Sequence, residues 1–453
     1  MSPGLFGTSG IRGVANVEVT PILAMRVGMA LASCFEGGAA AVGRDTRLTG
    51  EMLEKALVAG LNSCGTDVYT LGVVPTPVTA YLARELGAEA GVAISASHNP
   101  PQYNGLKLFD YTSMAYTEEG QRFLEERIET GNFKPSAWDD VGAVSEVDAR
   151  WMYLDALTEN VDLDRRWKVA CDLFNGATCT IAPHAFMDLG CDATLLNAQP
   201  DGNFPAGAPE PAPESLRRLG EIVRAVDADI GLGFDGDGDR MMPVDGEGRV
   251  PNPDRVLAAY AGHVVRRSQG GVVVTHLGAS MCIDEKVSEE GGSVVRTKVG
   301  DVSIAEAMRE HDAVFGGEPV GAWIHPEVHL CPDGVLSALK LMEALEEEDK
   351  TLAEFVADVP EYPLLRAKVP CQNERKAMVM EAVAAGCGEA FSGVLSISTV
   401  DGVRFDLGDS WVLIRPSGTE PVVRITVEAR EGEAAQELME RGRRLVLEIL
   451  EGE

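Results

Sequence analysis

A threefold repeat of strand and helix patterns limits the fold of this chain more than any other feature. Each unit contains three short apolar runs, with a helical pattern between the first and the second. The first runs lie at residues 39–44, 168–173 and 271–276. The second runs lie at residues 64–70, 190–196 and 291–297, and the third at residues 91–94, 228–233 and 312–315. Because strands that alternate with helices form parallel sheets, the sequence predicts three α/β domains of one type.

An unusual loop follows the third run of every unit. The loops occupy residues 95–100, 235–240 and 316–321. In open α/β sheets the ligand crevice lies outside the carboxyl ends of the strands. We therefore expect the three loops to line one site.

The C-terminal part of the chain follows another pattern. From Gly393, apolar and polar residues alternate around turns at Asp401 and Gly408, and an amphipathic helix is predicted over residues 433–450. This pattern predicts a smaller α+β domain. Clusters of Pro, Gly and charged residues separate the parts. The predicted domains span residues 1–150, 151–250, 251–362 and 363–453.

Composition excludes several classes of protein. The chain has 71 acidic and 39 basic residues, which gives a net charge of −32. Such a surface repels nucleic acid and anionic membranes, so we expect neither as a partner. No apolar run predicts a transmembrane helix or a secretory signal, and nine cysteines without a C-x-x-C pair predict neither a disulfide framework nor structural zinc. A cytoplasmic location is expected, and the acidic, Lys-poor composition favours a salt-rich cytoplasm.

The first loop offers a hydroxyl nucleophile, Ser97. A lone serine is usually a turn hydroxyl that binds local backbone. Here the serine follows a buried strand in a loop of small residues, whose backbone N–H groups can surround a phosphate. The adjacent His98 is the nearest candidate base, although sequence neighbours need not form a relay. We therefore count Ser97 and His98 as candidate catalytic residues.

The second loop predicts a metal site. Asp235, Asp237 and Asp239 alternate with glycines, and carboxylates at this density suit Mg²⁺. An EF-hand is excluded, because Arg240 and Gly246 stand where that loop needs Gly and Glu. A G-x-G-x-x-G match at residues 231–236 is followed by an apolar run and a turn and not by a helix start, so it does not indicate a dinucleotide site.

The C-terminal loop that begins at Arg415 predicts a phosphate cradle. It combines a guanidinium, two hydroxyls and a glycine, and Arg424 lies three residues beyond it. Arginine matches phosphate oxygens with two hydrogen bonds. A simple hairpin turn is the alternative. The chain has no Walker A motif, so nothing indicates ATP hydrolysis or kinase chemistry.

Taken together, these motifs resemble the α-D-phosphohexomutase superfamily. The resemblance spans nearly the whole chain and rests on separate motifs in the family's order. They lie at residues 6–13, 43–47, 95–100, 104–107, 235–240, 317–321 and 415–421.

The resemblance implies four domains around a central cleft and a serine, Ser97, that is phosphorylated in the active enzyme. Its phosphoryl group would pass to a sugar monophosphate, and the bound 1,6-bisphosphate would reorient and return its other phosphate. One Mg²⁺ per subunit would be held by Ser97, Asp235, Asp237 and Asp239. The other site residues that the resemblance implies are Arg12 and Lys107 near the reacting oxygens, Arg240 as added positive charge, Glu318 on the sugar, and Arg415, Ser417, Gly418, Thr419 and Arg424 on the distal phosphate.

Sugar identity is predicted from the third loop. The family commonly has Gly-Glu-x-Ser-Gly-His there, whereas this chain has Val320 for the serine and Ala322 for the histidine. The loop resembles archaeal phosphoglucosamine mutase sequences, which favours glucosamine phosphate over the alternatives of mannose and glucose phosphates. Two other hypotheses remain. One is a hydrolase, which would not need the phosphate cradle at Arg415. The other is a catalytically silent sugar-phosphate-binding protein. A monomer or a homodimer is expected.

Overall fold

The structure, a computed structural model, describes residues 4–7, 10–35, 37–417 and 420–451. Its strands form one sheet of six strands, two of four and one of five. The first three sheets are mostly parallel and the last is antiparallel, so the predicted fold class is confirmed. No helix among these residues is long and apolar enough to cross a membrane.

The first domain is built on the six-stranded sheet. Its elements are β1 (Ile11–Val14), α1 (Pro21–Ala32), β2 (Ala39–Arg44), α2 (Gly50–Ser63), β3 (Asp67–Val73), α3 (Thr76–Glu85), β4 (Ala90–Ile94), β5 (Tyr103–Asp110), α4 (Glu118–Thr130) and β6 (Val144–Glu146). The strand order is β1-β5-β4-β2-β3-β6. All residues of the central strand β4 are buried, as expected for a strand covered on both faces.

The second and third domains each contain a four-stranded sheet. The second contains α5 (Ala149–Asn160), β7 (Lys168–Asp172), α6 (Ala182–Asp188), β8 (Asp192–Leu196), α7 (Arg217–Val226), β9 (Ile230–Phe234) and β10 (Met241–Asp245). The third contains α8 (Pro253–Arg267), β11 (Gly271–His276), α9 (Cys282–Glu289), β12 (Gly292–Thr297), α10 (Asp301–His311), β13 (Phe315–Gly317), β14 (Trp323–Ile324), α11 (Gly334–Glu347) and α12 (Leu352–Ala357).

The predicted repeat is visible in the strand order of these three sheets. In each, the first strand of the unit lies between the third and the second, and an antiparallel strand pairs with the third: β5-β4-β2-β3, β10-β9-β7-β8 and β14-β13-β11-β12. Several strands differ from the predicted apolar runs by up to three residues at an end. The third strand of the third unit begins at Phe315, because Asp312 (φ +49°) forms the left-handed end of α10.

The fourth domain is the predicted α+β unit. Its elements are β15 (Leu364–Pro370), α13 (Lys376–Ala390), β16 (Ser396–Ser398), β17 (Val403–Asp406), β18 (Ser410–Pro416), β19 (Val422–Ala429) and α14 (Gly432–Glu451). The antiparallel order is β15-β19-β18-β17-β16. Helix α14 extends the predicted helix by one residue at each end.

Packing ties the first three domains together. One continuous hydrophobic core contains Val78 of α3, Tyr153 of α5, Phe234 of β9 and Val256 of α8. The fourth domain has a separate core between its sheet and helices α13 and α14. The first three loops therefore have fixed relative positions, whereas the fourth domain packs as a unit of its own.

Candidate active site between the domains

Ser97 lies in the loop after β4 and adopts a left-handed backbone conformation with φ +50°. Its N–H donates to Ser95 Oγ at 2.8 Å, and its buried hydroxyl donates to Asp235 Oδ2 of the second domain at 2.7 Å. Non-glycine residues rarely adopt this conformation, and when they do it is often at functional sites. The hydroxyl is thus directed at the aspartate loop of another domain and not at its own backbone, as a turn serine would be.

His98 is a weak base in this environment. Its Nδ1 lies 3.2 Å from Ser97 Oγ. Burial, together with the positive charges of Arg240 and Arg12, lowers the pKa of His98 from 6.5 to about 4. The imidazole is therefore neutral at pH 7, and a base with so low a pKa removes protons inefficiently. Arg12 Nη1 lies 3.5 Å from Asn99 Oδ1 of the same loop.

The three aspartates of the second loop converge as predicted from their alternation. One carboxylate oxygen from each of Asp235, Asp237 and Asp239 lies within 4.8 Å of the other two, and all three residues are buried. Among the described residues, none donates a hydrogen bond to Asp237 Oδ1 or Asp239 Oδ1. Buried carboxylate oxygens without a partner are costly, and a hard cation satisfies them. This donor set therefore fits a divalent metal ion.

Lys107 links the first domain to these carboxylates. It lies on β5 beside Ala93 of β4, and its Nζ donates to Asp237 Oδ2 at 2.7 Å and to Asp239 Oδ2 at 2.6 Å. Burial alone would lower the pKa of Lys107, but attraction to the two carboxylates outweighs burial and raises it. Lys107 is therefore a cation at neutral pH.

The aspartates differ in their tendency to ionise. Burial, followed by the negative charges of Asp239 and Asp237, raises the pKa of Asp235 well above its usual range. Burial also disfavours the ionised form of Asp237, but the neighbouring Lys107 reverses this effect and lowers the pKa of Asp237. The Ser97 hydroxyl thus donates to a carboxyl group whose pKa is raised, whereas Lys107 pairs with one whose pKa is lowered.

Thr76, which the sequence analysis missed, supports the aspartate loop from the first domain. It is the first residue of α3 and follows the carboxyl end of β3. Its N–H donates to the main-chain carbonyl of Asp237 at 2.8 Å, and its Oγ1–H donates to Asp237 Oδ2 at 2.6 Å. Two features of the sequence could have indicated Thr76. It lies at the same sheet edge as the three loops, and Pro77 directly after it indicates the start of a helix.

Arg240 borders both the aspartates and a cavity. Its N–H donates to Asp235 Oδ1 at 3.2 Å, and its Nε lies 3.9 Å from Asp239 Oδ1. A cavity of about 640 Å³ opens beside it, with Val320 and Arg366 among the lining residues. That volume falls within the range of small-molecule sites.

Glu318 of the third loop directly follows β13 and is buried. Its Oε1 accepts the N–H of Gly300 at 3.1 Å. Burial, followed by the negative charge of Asp301, raises the pKa of Glu318 from 4.5 to about 7. The carboxyl group can therefore take up or release a proton near neutral pH.

His276, at the carboxyl end of β11, is a second residue that the sequence analysis did not select. Its Nδ1 accepts the N–H of Gly278 at 3.0 Å, so its Nε2 carries the proton, and this atom lies 4.0 Å from Glu318 Oε1. The signal that the sequence offered was the position of His276 at the end of a strand.

Of the two substituted positions in the third loop, Val320 is 45% exposed and Ala322 is buried.

The arginines of the C-terminal loop have carboxylate partners. Arg415 Nη1 donates to Asp401 Oδ2 at 2.8 Å, and Arg424 Nη2 donates to Glu420 Oε2 at 2.7 Å. Ser417 Oγ accepts the N–H of Glu420 at 3.2 Å. The predicted residues Gly418 and Thr419 lie outside the described residues.

The third and fourth domains meet beside these groups. The N–H of Val299 lies 3.4 Å from Asp401 Oδ2, which also accepts from Arg415. The next residue, Gly300, donates to Glu318. One short segment therefore connects the candidate sugar contact with the candidate phosphate clamp.

Comparison with known proteins indicates the same family for all four domains. Phosphoglucomutase/phosphomannomutase family models match in order: alpha/beta/alpha domain I at residues 3–135, domain II at 152–248, domain III at 252–362 and the C-terminal domain at 367–445. The chain is 46% identical to a probable phosphoglucosamine mutase of Methanothermobacter thermautotrophicus, covering 97% of each chain. It is 47% identical to one of Methanopyrus kandleri, covering 96% of this chain and 95% of the relative.

A solved structure gives the same result. The X-ray structure of a phosphoglucomutase/phosphomannomutase family protein from Burkholderia thailandensis superposes with a TM-score of 0.90 at 29% identity, covering 100% of this chain and 99% of that one. The resemblance seen in the motifs is confirmed. The family models match the four domains in order, and the Ser97 loop and the aspartate loop meet between the first two of them. This chain therefore belongs to the phosphoglucomutase/phosphomannomutase family.

Proposed function

We propose that this protein is a phosphoglucosamine mutase, which interconverts glucosamine 6-phosphate and glucosamine 1-phosphate through phosphorylated Ser97 and a bound 1,6-bisphosphate. The observation that carries the proposal is the 2.7 Å hydrogen bond from Ser97 Oγ to Asp235 Oδ2, beside two further aspartates and Lys107. The name of the two archaeal relatives supports glucosamine as the sugar. Phosphomannomutase or phosphoglucomutase activity is the alternative.

The phosphoryl group moves between two hydroxyls. In the forward step, the bond between phosphorus and Ser97 Oγ breaks while a bond to the free sugar hydroxyl forms. The proton of that hydroxyl leaves, and Ser97 Oγ gains one. The hydroxyl that results donates to Asp235, as in the structure. In the return step, the bond between the other phosphorus of the turned bisphosphate and its sugar oxygen breaks while a bond to Ser97 Oγ forms; Ser97 Oγ loses its proton and the sugar oxygen gains one.

Cationic side chains near Ser97 would stabilise the transferred group. Lys107, held as a cation by Asp237 and Asp239, provides positive charge. As an ammonium group it is our candidate for relaying the proton, since it can donate one proton to Ser97 Oγ while it takes up the proton that the sugar hydroxyl loses. Arg12 and Arg240 would add positive charge near His98, whose pKa is lowered first by burial and then by these two arginines. Because His98 is a weak base, we assign it hydrogen bonding to the Ser97 side chain and not proton removal.

The aspartates supply the metal site. Asp235, Asp237 and Asp239, with the phosphate on Ser97, would hold Mg²⁺, which would supply positive charge to stabilise the phosphoryl transfer. The two buried carboxylate oxygens that receive no hydrogen bond within the described part of the chain, Asp237 Oδ1 and Asp239 Oδ1, support this assignment.

Glu318 and the C-terminal loop would hold the remainder of the substrate. Glu318 faces the sugar hydroxyls, while Arg415, Ser417, Gly418, Thr419 and Arg424 bind the phosphate that does not react. To bind phosphate, Arg415 and Arg424 must share or leave Asp401 and Glu420. Because both ends of the bisphosphate are bound in turn, the distal clamp must accept either orientation.

Three further expectations are part of this proposal. The domain limits are those predicted from the sequence, at residues 150, 250 and 362. The protein works in the cytoplasm, and it acts as a monomer or a homodimer on a phosphosugar, without nucleic acid or membrane.

The proposal is tested by ³¹P NMR of the protein with Mg²⁺, a trace of hexose 1,6-bisphosphate and, separately, the 6-phosphates of glucosamine, mannose and glucose. We expect a 1-phosphate signal to grow from glucosamine 6-phosphate. A signal from mannose or glucose phosphate alone would favour the alternative. Silence from all three would contradict mutase activity and leave a sugar-phosphate-binding protein, whereas release of inorganic phosphate would indicate a hydrolase.

Variants at two serines link the activity to Ser97. Ser97→Ala should abolish turnover while the protein remains folded. Ser113→Ala is the matched control, since Ser113 is also buried in the first domain and has a positive φ, +67°. Turnover that persists in Ser97→Ala would refute the phosphoserine mechanism.

A further inference from the structure

Four backbone carbonyls around Ser97 converge on one buried guanidinium, that of Arg47. Its Nη2 donates to the carbonyls of Ser97 at 2.8 Å and Asn99 at 2.7 Å. Its Nη1 donates to the carbonyls of Pro100 at 2.7 Å and Tyr103 at 2.9 Å. One side chain in the turn after β2 therefore holds the loop that connects β4 to β5.

An ion pair between Arg47 and Asp45 also holds the N–H of Ser97. Asp45 Oδ2 accepts from Arg47 Nε at 2.9 Å and from Ser95 Oγ at 2.7 Å. Ser95 Oγ in turn accepts the N–H of Ser97 at 2.8 Å. Both backbone polar groups of Ser97 are thus fixed by the Asp45–Arg47 pair, at the residue whose left-handed backbone needs such support.

Arg47 contacts the domain that carries the aspartates as well. The ring of Phe204, in the second domain, lies with its centre 5.0 Å from the guanidinium carbon. Next to it, Thr46 Oγ1 donates to the carbonyl of Asn175 at 3.1 Å. Gly202 packs so closely that a Cβ there would lie 2.6 Å from the Arg47 Cα. Arg47 is therefore packed between the nucleophile loop and the second domain.

We propose that Arg47 is a positioning residue, which holds Ser97 Oγ in register with Asp235 across the domain boundary. Arginine is required because its planar fork offers five donors, enough for four carbonyls and Asp45, whereas lysine offers three from one point. This proposal rests on the mutase function proposed above. It predicts a defect in the chemical step and not in substrate binding, because the Arg47 side chain contacts backbone carbonyls of the loop, Asp45 and Phe204, and none of the side chains that we assign to substrate binding.

The test compares Arg47→Lys with the wild type in steady-state mutase kinetics, after circular dichroism has shown that both are folded. A displacement of about 1 Å at a reacting group costs about 100-fold in rate. We therefore expect kcat to fall about 100-fold while KM stays within about threefold. Arg44→Lys is the control. Arg44 is the last residue of β2, three residues before Arg47, but it pairs with Glu54, so this variant should keep wild-type kcat.

Two results would overturn the proposal while leaving the mutase function intact. One is a folded Arg47→Lys protein with kcat within about threefold of wild type. The other is an increase in KM with unchanged kcat. Absence of turnover in the wild type would instead refute the proposed function.

Ser95→Ala decides the matter if Arg47→Lys does not fold. This small change removes the link between Asp45 and the Ser97 N–H but keeps the ion pair. We expect kcat to fall about tenfold, the lower end of the loss seen when a supporting hydrogen bond is removed, with little change in KM. Unchanged kcat in Ser95→Ala would overturn the proposal.

Discussion

Replacing Thr76 with valine isolates one hydrogen bond to the proposed metal site. The Thr76 hydroxyl donates to Asp237 Oδ2 at 2.6 Å, and the residue is buried. Valine has nearly the same shape, so Thr76→Val removes the donor without opening a cavity. The N–H of residue 76 still donates to the Asp237 carbonyl. The change therefore affects chiefly the orientation and charge of one carboxylate.

The size of the effect follows from the type of hydrogen bond. A hydrogen bond to a charged group contributes about 1.5–3 kcal/mol. Loss of a residue that orients a metal ligand typically weakens metal binding by about 10–100-fold, which corresponds to about 1.4–2.8 kcal/mol. The two values agree, so we expect the Mg²⁺ concentration for half-maximal activity to rise by about 10–100-fold in Thr76→Val.

The assay is a Mg²⁺ titration of mutase turnover, with calorimetric titration of Mg²⁺ into the protein as a second readout. Thr79→Val is the matched control. Thr79 lies one turn later in α3 and is buried, and within the described structure its hydroxyl has no hydrogen-bond partner. It should leave Mg²⁺ dependence unchanged and the free energy of unfolding equal or higher.

Two results would refute this reasoning. If Thr76→Val keeps the wild-type Mg²⁺ dependence, the hydroxyl does not orient Asp237 for the metal. If Thr79→Val shifts the dependence as much as Thr76→Val does, the cause is repacking of α3 and not the hydrogen bond.

Three further predictions concern the sugar contact, the phosphate clamp and the surface. Because burial raises the pKa of Glu318 from 4.5 to about 7, the stability that its protonated form contributes is lost as pH rises from about 4.5 to about 7; thermal melts of Glu318→Gln should show a smaller fall in Tm between these two pH values. Arg415→Lys should raise KM about tenfold with little change in kcat, because lysine lacks the two-donor fork, and steady-state kinetics with unchanged KM would remove Arg415 from the clamp. With a net charge of −32, Tm should rise as KCl screens surface repulsion, and a salt-independent Tm would contradict the salt-rich cytoplasm.

Much of the site was predictable because its loops share a position in a repeat. The alternation of Asp235, Asp237 and Asp239 with glycine has few uses other than binding a cation. Ser97 lies in the loop that follows the equivalent strand, β4, of another unit. Because the carboxyl ends of parallel strands form the ligand edge of a sheet, the position of each loop in its unit was enough to place it at such an edge.

What escaped prediction depends on contacts between distant segments. Thr76 and Asp237 are 161 residues apart, and a threonine before a proline at a helix start is ordinary in sequence. The weak basicity of His98 arises from burial and from arginines of two domains. The carboxylate partners of Arg415 and Arg424 likewise could not be read from local sequence, since an arginine in a turn is compatible with phosphate or with an acidic neighbour.

The contacts of the aspartate loop explain how a fixed reaction centre can serve an intermediate that turns around. Thr76 of the first domain holds Asp237, and Gly334 at the start of α11 in the third domain donates to the Gly238 carbonyl at 2.9 Å. A Cβ at Gly334 would lie 2.6 Å from the Arg240 carbonyl, so the third domain packs directly on the loop. Three domains with a shared core therefore fix the reacting groups.

The fourth domain, by contrast, has a separate core and meets the third domain through both apolar and polar contacts, among them the N–H of Met281 to Glu428 Oε2 at 2.8 Å and the ion pair of Arg430 with Glu285. A small apolar cluster joins it to the third domain and contains Leu277, Met281, Trp411 and Leu413. The polar contact from Val299 to Asp401 lies beside Arg415. Because interfaces of this kind permit relative motion of domains, we expect rotation of the fourth domain to release and recapture the distal phosphate. Such motion would let the proposed bisphosphate turn while Ser97, Lys107 and the aspartates keep their geometry for both transfers.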